Sequence, residues 1–384
     1  MRRALGALGA AGAALALLGG GCGGGGGPAG GPAHRRGGPA ATTSPASGAG
    51  TTTAPAVRTT LRQAIGQRFV FAFTGAQPPA ALRRRIARGE AAGVILFGRN
   101  VRDVAQVRRT VGSLQAIRRP DGLDVPLLVM VDQEGGPVRR LAGPPAAAAG
   151  DTAGTTQARA NGRAAAGLLR AAGINVDLAP VVDVARPGTA LLAERRAYGT
   201  DPATVAARAG AFAAGLRTGG VQPVLKHFPG LGAAAANTDD GAVRIDLTAA
   251  ELRRVDAAPY RGIRAPAVMV STAVYPRVDP RPAAFSERWV TRELRGALGF
   301  DGVTITDDLQ APAVTSFGTP AQLAFFAMRA GVDLPLFAKS YTAGARAAAG
   351  LERAVRTGAL PRAALDAGVR RVLAWRGRLP VAAR

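Results

Sequence analysis

Charged side chains follow several short apolar runs of this sequence, at the points where predicted β-strands end. Asp132 follows LLVMV, Lys226 and His227 follow VQPVL, and Asp307 and Asp308 follow GVTIT. An ionised carboxylate at such a position could attack a sugar carbon as a nucleophile or stabilise a developing positive charge. Because Asp307 and Asp308 are neighbours on a strand end, at most one of them faces the same side as the other groups.

Further charged residues could bind a polyhydroxylated ligand. Asp132 together with Arg140, Arg196 and Lys226 could supply oriented hydrogen bonds to sugar hydroxyls. Asp177 lies inside INVDLAP and is another charged residue at the end of an apolar run. Any one of these residues could instead cap a helix or form a salt bridge. Clustering at several strand ends favours a functional site.

Short β-branched runs alternate with helical patterns and would position these residues. Eight candidate strands cover residues 69–73, 94–97, 127–131, 174–178, 221–226, 268–271, 303–306 and 333–337. Ala-, Leu- and Arg-rich segments with helical spacing lie between them, and a last helix is expected at about 361–376. This pattern predicts an α/β fold, a single (β/α)8 TIM barrel in which the carboxyl ends of the strands meet on one rim. An open doubly wound sheet is the alternative.

The first 56 residues predict export and attachment rather than a folded domain. An apolar run at 4–18 is too short to cross a membrane comfortably, so residues 1–21 are predicted to be a secretory signal. Cys22 follows small residues, as in a bacterial lipoprotein processing site, although Gly19 stands where an aliphatic residue is usual. A plain secretory signal is the alternative. Residues 22–56 are predicted to be a lipidated, flexible tether, and residues 57–384 the folded domain.

Composition excludes several classes of function. Lys and Arg number 49 against 25 Asp and Glu, but the arginines are scattered and aromatic residues make up only 5%, so no specific nucleic-acid binding is predicted. The chain's one cysteine excludes an internal disulfide. One of its two histidines, His34, lies in the tether, which excludes an HExxH zinc site. No metal or organic cofactor is expected, and the protein is expected to be a monomer.

Six motifs together resemble those of glycoside hydrolase family 3. They are GVILFGRN (93–100), VDQEGGPVRRL (131–141), INVDLAPVVDV (174–184), RAYGTD (196–201), KHFPGLG (226–232) and GVTITDDL (302–309). Their order and spacing are similar to those of the single-domain β-N-acetylglucosaminidases of that family, over essentially all of residues 57–384. The resemblance implies a retaining mechanism on terminal β-linked N-acetylglucosamine of cell-wall peptidoglycan fragments. With the predicted signal, it implies a lipoprotein at the outer face of the cell membrane, or a secreted protein in the alternative.

The resemblance also implies roles for individual residues. By motif position, Asp307 is the nucleophile that attacks the anomeric carbon and forms a glycosyl-enzyme. The terminal sugar would be bound by Asp132, Arg140, Arg196, Lys226 and His227. An attacking carboxylate must be ionised, and we expect nearby Lys or Arg side chains to keep its pKa low.

One motif departs from the family pattern at the group that moves the proton. The related enzymes carry an Asp-x-His pair after KHFPG, whose His is the general acid/base. Here Asn237 and Asp239 occupy those two positions, and Leu231 replaces another usual His. Three interpretations remain: Asp239 or Asp240 is the acid/base, the protein binds wall sugars with little or no hydrolysis, or hydrolysis needs a good leaving group or another nucleophile. Residues 237–240 are also typical of a turn or a helix cap.

Overall fold

The structure, a computed structural model, describes residues 58–380. The predicted signal at 1–21, Cys22 and the tether to residue 56 lie outside the described residues. The strands of the described part are β1 (Val70–Phe71), β2 (Gly93–Ile95), β3 (Leu128–Val131), β4 (Gln133–Gly135), β5 (Val138–Arg139), β6 (Val176–Asp177), β7 (Gln222–Phe228), β8 (Ala267–Val270), β9 (Val274–Tyr275), β10 (Asp279–Pro282) and β11 (Val303–Thr306). Seven of them form one parallel sheet in the order β1-β2-β3-β6-β7-β8-β11, and β4–β5 and β9–β10 are two small antiparallel pairs.

Helices connect the strands and surround the sheet. They are α1 (Leu61–Gly66), α2 (Ala80–Ala87), α3 (Val104–Gln115), α4 (Thr155–Ala171), α5 (Ala190–Ala193), α6 (Pro202–Thr218), α7 (Ala249–Arg254), α8 (Pro312–Thr315), α9 (Pro320–Ala330), α10 (Tyr341–Arg356) and α11 (Arg362–Gly377), with a wider helical segment at Arg288–Ala297. Six α-helices begin where a side-chain oxygen accepts a backbone N–H, as capping residues do. The capping residues are Thr60, Asp103, Asp201, Thr248, Thr319 and Ser340. Within residues 58–380, no helix is both long and apolar enough to cross a lipid bilayer.

The segment at 333–337 closes the sheet, although it is not a regular strand. Leu334 pairs with Ile305 of β11, and Phe337 pairs with Phe71 of β1, each through an isolated parallel bridge. The segment therefore joins the last strand to the first, which confirms the predicted TIM-barrel architecture over the open sheet. The prediction of a continuous strand at 333–337 is wrong, because Pro335 lacks the N–H that a strand ladder needs.

Alternate residues of the strands separate into two apolar layers, as the two-residue period of a strand requires. One layer fills the barrel and includes Val70, Ile95, Leu128, Met130, Val176, Leu178, Val224, Met269, Val303, Ile305, Leu334 and Leu336. The other layer packs against the helices and includes Phe71, Val94, Val129, Val131, Leu225, Val268, Val270 and Phe337. Continuing the first alternation beyond the strand ends places Asp132 and Asp307 over the barrel interior.

The same alternation puts Asp177 on the opposite face of β6 from Val176 and Leu178. Its side chain is fully buried, and Oδ1 accepts the N–H of Gln133 at 2.9 Å while Oδ2 has no hydrogen-bond partner. Asp177 therefore lies within the barrel wall, and the expectation that it joins the other charged groups at the rim is wrong. Burial raises the pKa of Asp177 to about 8, so this carboxyl keeps its proton at neutral pH.

A buried carboxylate links four segments of the chain at Asp333. Arg295 Nη2 lies 2.6 Å from Oδ2, Arg371 Nη2 lies 2.7 Å from Oδ1, and Arg68 Nη2 lies 3.9 Å from Oδ1. Burial alone would raise the pKa of Asp333, but the three guanidinium groups hold it below its ordinary value. The ionised side chain thus ties the start of the barrel, the closing segment, the helical segment at 288–297 and α11 together.

Asp333→Asn tests this link. The substitution leaves three guanidinium groups facing a neutral amide, and breaking such a buried ion pair costs about 3–5 kcal/mol of unfolding free energy. We expect a loss of this size in urea denaturation of the full chain. Asp366→Asn, on the helix α11 that also carries Arg371, removes an exposed i,i+4 partner of Arg362 and should cost about 0.5 kcal/mol or less. Equal losses in the two variants would contradict the structural role of Asp333.

Asp177→Asn tests the neutral buried carboxyl through its pH dependence. The folded protein holds this proton up to about pH 8, whereas the unfolded chain loses it near pH 4. The wild-type contribution is therefore fully present below about pH 4 and is lost as the pH rises toward 8. Because asparagine cannot ionise, the melting temperature of the variant should rise relative to that of the wild type as the pH increases from 5 to 8. A difference that stays constant over this range would show that Asp177 is already ionised.

Candidate functional site

A cavity of about 660 Å³ opens over the carboxyl ends of the barrel strands. It collects every site residue predicted within the described chain, from five different segments. The residues are Asp132, Arg140, Arg196, Lys226, His227, Asp239 and Asp307. Their convergence follows from the parallel arrangement of the strands, whose carboxyl ends share one rim.

The β4–β5 hairpin returns the chain to Asp132 directly after β3. Gly135 and Gly136 form its turn with φ values of 108° and 53°, which glycine adopts far more readily than other residues. A Cβ at Gly135 would lie 2.3 Å from the carbonyl oxygen of Ala147. The hairpin brings Arg140 Nη2 to 3.5 Å from Asp132 Oδ2, so the two glycines of DQEGG help to position a pair of charged groups of the cavity.

A network of ion pairs lines one wall of the cavity. Lys226 Nζ lies 2.7 Å from Asp132 Oδ1 and 2.6 Å from Glu134 Oε1. Arg196 donates two hydrogen bonds to Glu134, of 2.9 and 2.8 Å, and Nη1 donates a third to Glu194 at 3.1 Å. Glu134 had no assigned role from sequence, although it follows Asp132 by two residues at the same strand end. It is the carboxylate that joins the two cations.

The network stays ionised despite its burial. Burial alone would raise the pKa of Asp132 and Glu134, but the neighbouring cations lower both below their ordinary values. Burial alone would likewise lower the pKa of Lys226, but the two carboxylates raise it above its ordinary value. The charged groups are therefore held in place before a ligand arrives, and they present both donors and acceptors to hydroxyl groups.

His227 is oriented by a carboxylate that sequence reasoning did not identify. Asp183 is fully buried, and its Oδ2 lies 2.7 Å from His227 Nδ1 while Oδ1 accepts the N–H groups of His227 and Leu231. Because a carboxylate accepts, Nδ1 donates and Nε2 is the ring nitrogen left for a ligand. A register shift within 225–228 lets both Lys226 and His227, although consecutive, line the cavity.

Asp307 lines the same cavity and is held by neutral donors. Its Oδ1 accepts the N–H of Asp308 at 2.8 Å, and its Oδ2 accepts the hydroxyl of Thr238 at 3.2 Å. Within residues 58–380, no Lys or Arg side chain forms an ion pair with Asp307, so the expectation of an adjoining cation is not met. The cations nearest the predicted sugar site, Lys226 and Arg196, are instead engaged by the carboxylates of the network.

Asp308 stabilises the turn after β11. Its Oδ1 accepts the N–H groups of Gln310 and Ala338, each at 2.9 Å. Burial, assisted by the Asp307 carboxylate and opposed by these two N–H groups, raises the pKa of Asp308 to about 6. Both neighbouring aspartates line the cavity, although the expectation from sequence was that at most one of them would face it.

Asp239 lies at the exposed mouth of the cavity, on the loop that departs from the family pattern. Its backbone N–H donates to Asn237 Oδ1 at 3.1 Å. Partial burial and the negative charge of Asp307 raise the pKa of Asp239 above its ordinary value. Asp240, the alternative at this loop, does not line the cavity.

The cavity can therefore combine two chemical tasks. The ion network and His227 can hold a sugar through its hydroxyls, while Asp307 and Asp239 are two carboxyl groups in different environments. Such a difference suits one carboxyl to remain ionised and the other to carry a proton. In the described chain, no group of three or more His, Cys, Asp or Glu side chains is arranged to hold a metal ion.

The chain is similar to known glycoside hydrolases. The chain is 36% identical over 340 residues to a protein of Arthroderma benhamiae named as an uncharacterized secreted glycosyl hydrolase, covering 85% of this chain and 96% of that protein. It is 36% identical over 279 residues to a beta-hexosaminidase of Pseudomonas aeruginosa, covering 71% and 82% respectively. The crystal structure of a beta-N-acetylhexosaminidase from Beutenbergia cavernae aligns with a TM-score of 0.77 and 36% identity, over 83% of this chain and 99% of that chain.

The family match covers the whole barrel. Residues 60–375 match the family model described as the glycosyl hydrolase family 3 N terminal domain. This span includes every strand of the sheet and every residue of the cavity. The chain therefore belongs to glycosyl hydrolase family 3 and is a glycoside hydrolase.

Proposed function

We propose that the protein is a retaining β-N-acetylhexosaminidase that removes terminal β-linked N-acetylglucosamine. In this proposal Asp307 is the nucleophile and Asp239 is the general acid/base. The observation that carries the proposal is the presence of these two carboxyl groups in one cavity, beside a preformed network of sugar-binding charges. The relatives named beta-hexosaminidase support the choice of sugar.

The proposed reaction has two steps. Asp307 attacks the anomeric carbon while protonated Asp239 gives its proton to the leaving glycosidic oxygen, and a covalent glycosyl-enzyme forms. Ionised Asp239 then takes a proton from water, which attacks the anomeric carbon and releases Asp307. The raised pKa of Asp239 favours the protonated form needed for the first step, and departure of the sugar from Asp307 restores the starting state.

The ion network binds the terminal sugar in this proposal. Asp132 accepts hydrogen bonds from ring hydroxyls, and Lys226, Arg140 and Arg196 donate to them. His227 contributes Nε2, since Asp183 engages its other ring nitrogen. Because these groups are already paired and fixed, a sugar binds without the cost of ordering long side chains.

We further propose that the protein acts outside the cell on peptidoglycan fragments, tethered to the membrane by a lipid on Cys22. The relative described as secreted supports export. The signal-like residues 1–21 and the position of the chain's one cysteine support the anchor. N-acetylglucosamine-containing wall fragments are then the substrate within reach.

A second candidate function, sugar binding without hydrolysis, is favoured by one observation. Asn237 Oδ1 accepts the N–H of Asp239, an Asx turn that gives this loop a structural reason for its residue types. In that case N-acetylglucosamine would raise the melting temperature while neither activated nor natural substrates were hydrolysed.

Asp239→Asn tests the acid/base assignment. The amide cannot give or take the proton, so we expect kcat/KM on an unactivated N-acetylglucosaminyl disaccharide to fall by about 10²–10⁴-fold. The decrease should be much smaller on a phenyl glycoside with an activated leaving group, which needs little protonation. The basic limb of the wild-type pH profile, where Asp239 loses its proton, should disappear from the variant.

Asp240→Asn is the matched control, since it removes the neighbouring carboxylate of the same loop outside the cavity. It should leave both substrates and the pH profile close to wild type. Unchanged hydrolysis of the disaccharide by Asp239→Asn would exclude Asp239 as the acid/base, and a large loss in Asp240→Asn alone would reassign the role.

Asp307→Ala tests the nucleophile. Without the carboxylate no glycosyl-enzyme can form, so kcat on the activated substrate should fall by roughly 10³-fold or more. Added azide should restore turnover and yield the glycosyl azide of inverted configuration, because it attacks from the side that Asp307 occupied. Melting temperature reports whether the variant is folded. Wild-type turnover by a folded Asp307→Ala protein would refute the assignment.

A further inference from the structure

We propose that Thr238 is a positioning residue that orients the Asp307 carboxylate and stabilises its negative charge. This inference rests on the proposed function, in which Asp307 is the nucleophile. Thr238 has no assigned role in binding or catalysis, and it lies one residue before the proposed acid/base Asp239.

The carboxylate of Asp307 depends on one hydroxyl group for its side-chain hydrogen bond. Oδ1 accepts the backbone N–H of Asp308 at 2.8 Å and Oδ2 accepts Thr238 Oγ1–H at 3.2 Å. Among residues 58–380, Thr238 is the side chain that donates to this carboxylate, and no cation pairs with it. Rotation of an aspartate carboxylate about χ2 is broad, so donors on both oxygens are needed to fix its plane.

The hydroxyl of Thr238 also links its loop to the barrel. Residues 233–236 are four alanines, which offer no polar side chain for anchoring. Thr238 is only 1% exposed, whereas Asp239 and Asp240 are exposed. The other side-chain hydrogen bond from residues 233–240 to the barrel, from Asn237 Nδ2 to Glu194 Oε1, is long at 3.5 Å. Backbone hydrogen bonds hold the loop at Gly232 and Ala234, and the Thr238–Asp307 hydrogen bond holds it next to Asp239.

The charge of Asp307 changes during both steps, so a donor to it affects the rate. A hydroxyl binds an ionised carboxylate more strongly than it binds the ester of the glycosyl-enzyme. It stabilises the carboxylate as it leaves in the second step, and it holds the carboxylate plane in position for the attack in the first. Loss of the hydroxyl should therefore slow turnover.

Thr238→Val and Thr238→Ser separate the hydroxyl from the shape of the side chain. Valine keeps the volume without the donor, and serine keeps the donor. On an activated aryl β-N-acetylglucosaminide, Thr238→Val should lower kcat about 10–100-fold. Thr238→Ser should restore kcat to within about threefold of wild type, and KM should change little because the ion network is intact.

Thr272→Val is the matched control for removing a buried hydroxyl. Thr272 is 1% exposed, its Oγ1 has no hydrogen-bond partner, and it does not line the cavity. The control should show wild-type kinetics and pH dependence, and melting temperatures should show that each variant folds.

Two outcomes would overturn the inference. One is a Thr238→Val enzyme with the wild-type kcat, and the other is a Thr238→Ser enzyme as impaired as Thr238→Val. Either result, obtained while Asp307→Ala is inactive, rejects the role of Thr238 and leaves the proposed function standing. Full activity of Asp307→Ala rejects the proposed function itself.

Discussion

The buried ion network at the carboxyl ends of the strands is the interaction on which the site depends. Charges removed from water must be paired, and Lys226 meets this need by contacting both Asp132 and Glu134. Arg196 completes the pairing by binding Glu134 with two hydrogen bonds. Because these cations are engaged, Asp307 is left with a backbone N–H and a hydroxyl as its donors. The cavity thus has a rigid wall of paired charges and, apart from them, a carboxylate held by neutral groups.

Strand alternation decides which acidic residues serve that cavity. Asp132 and Asp307 continue the inward series of β3 and β11, and both line the cavity. Asp177 and Asp333 fall on the outward series, where one is buried as a neutral acid and the other holds three guanidinium groups. The same residue type therefore lines the cavity or stabilises the fold according to a shift of one position along a strand.

Much of this site could be predicted from sequence, because parallel strands must bring their carboxyl ends together. Charged residues directly after apolar runs identified Asp132, Lys226 and Asp307. Counting the alternation would also have excluded Asp177 from the rim. Asp183 and Thr238 could not be predicted in this way, since each contacts its partner across more than 40 residues of sequence through a loop. Pro335 explains why an apolar run at 333–337 joins the barrel by bridges rather than as a strand.

Capture of the glycosyl-enzyme tests the central claim most directly. Asp239→Asn protein treated with an activated aryl β-N-acetylglucosaminide should form the intermediate quickly and hydrolyse it slowly, because no base activates water. Mass spectrometry of the digested protein should then find one N-acetylhexosaminyl group, attached to the peptide that contains Asp307. An adduct on a different residue, or release of sugar with inverted configuration and no adduct, would contradict the account.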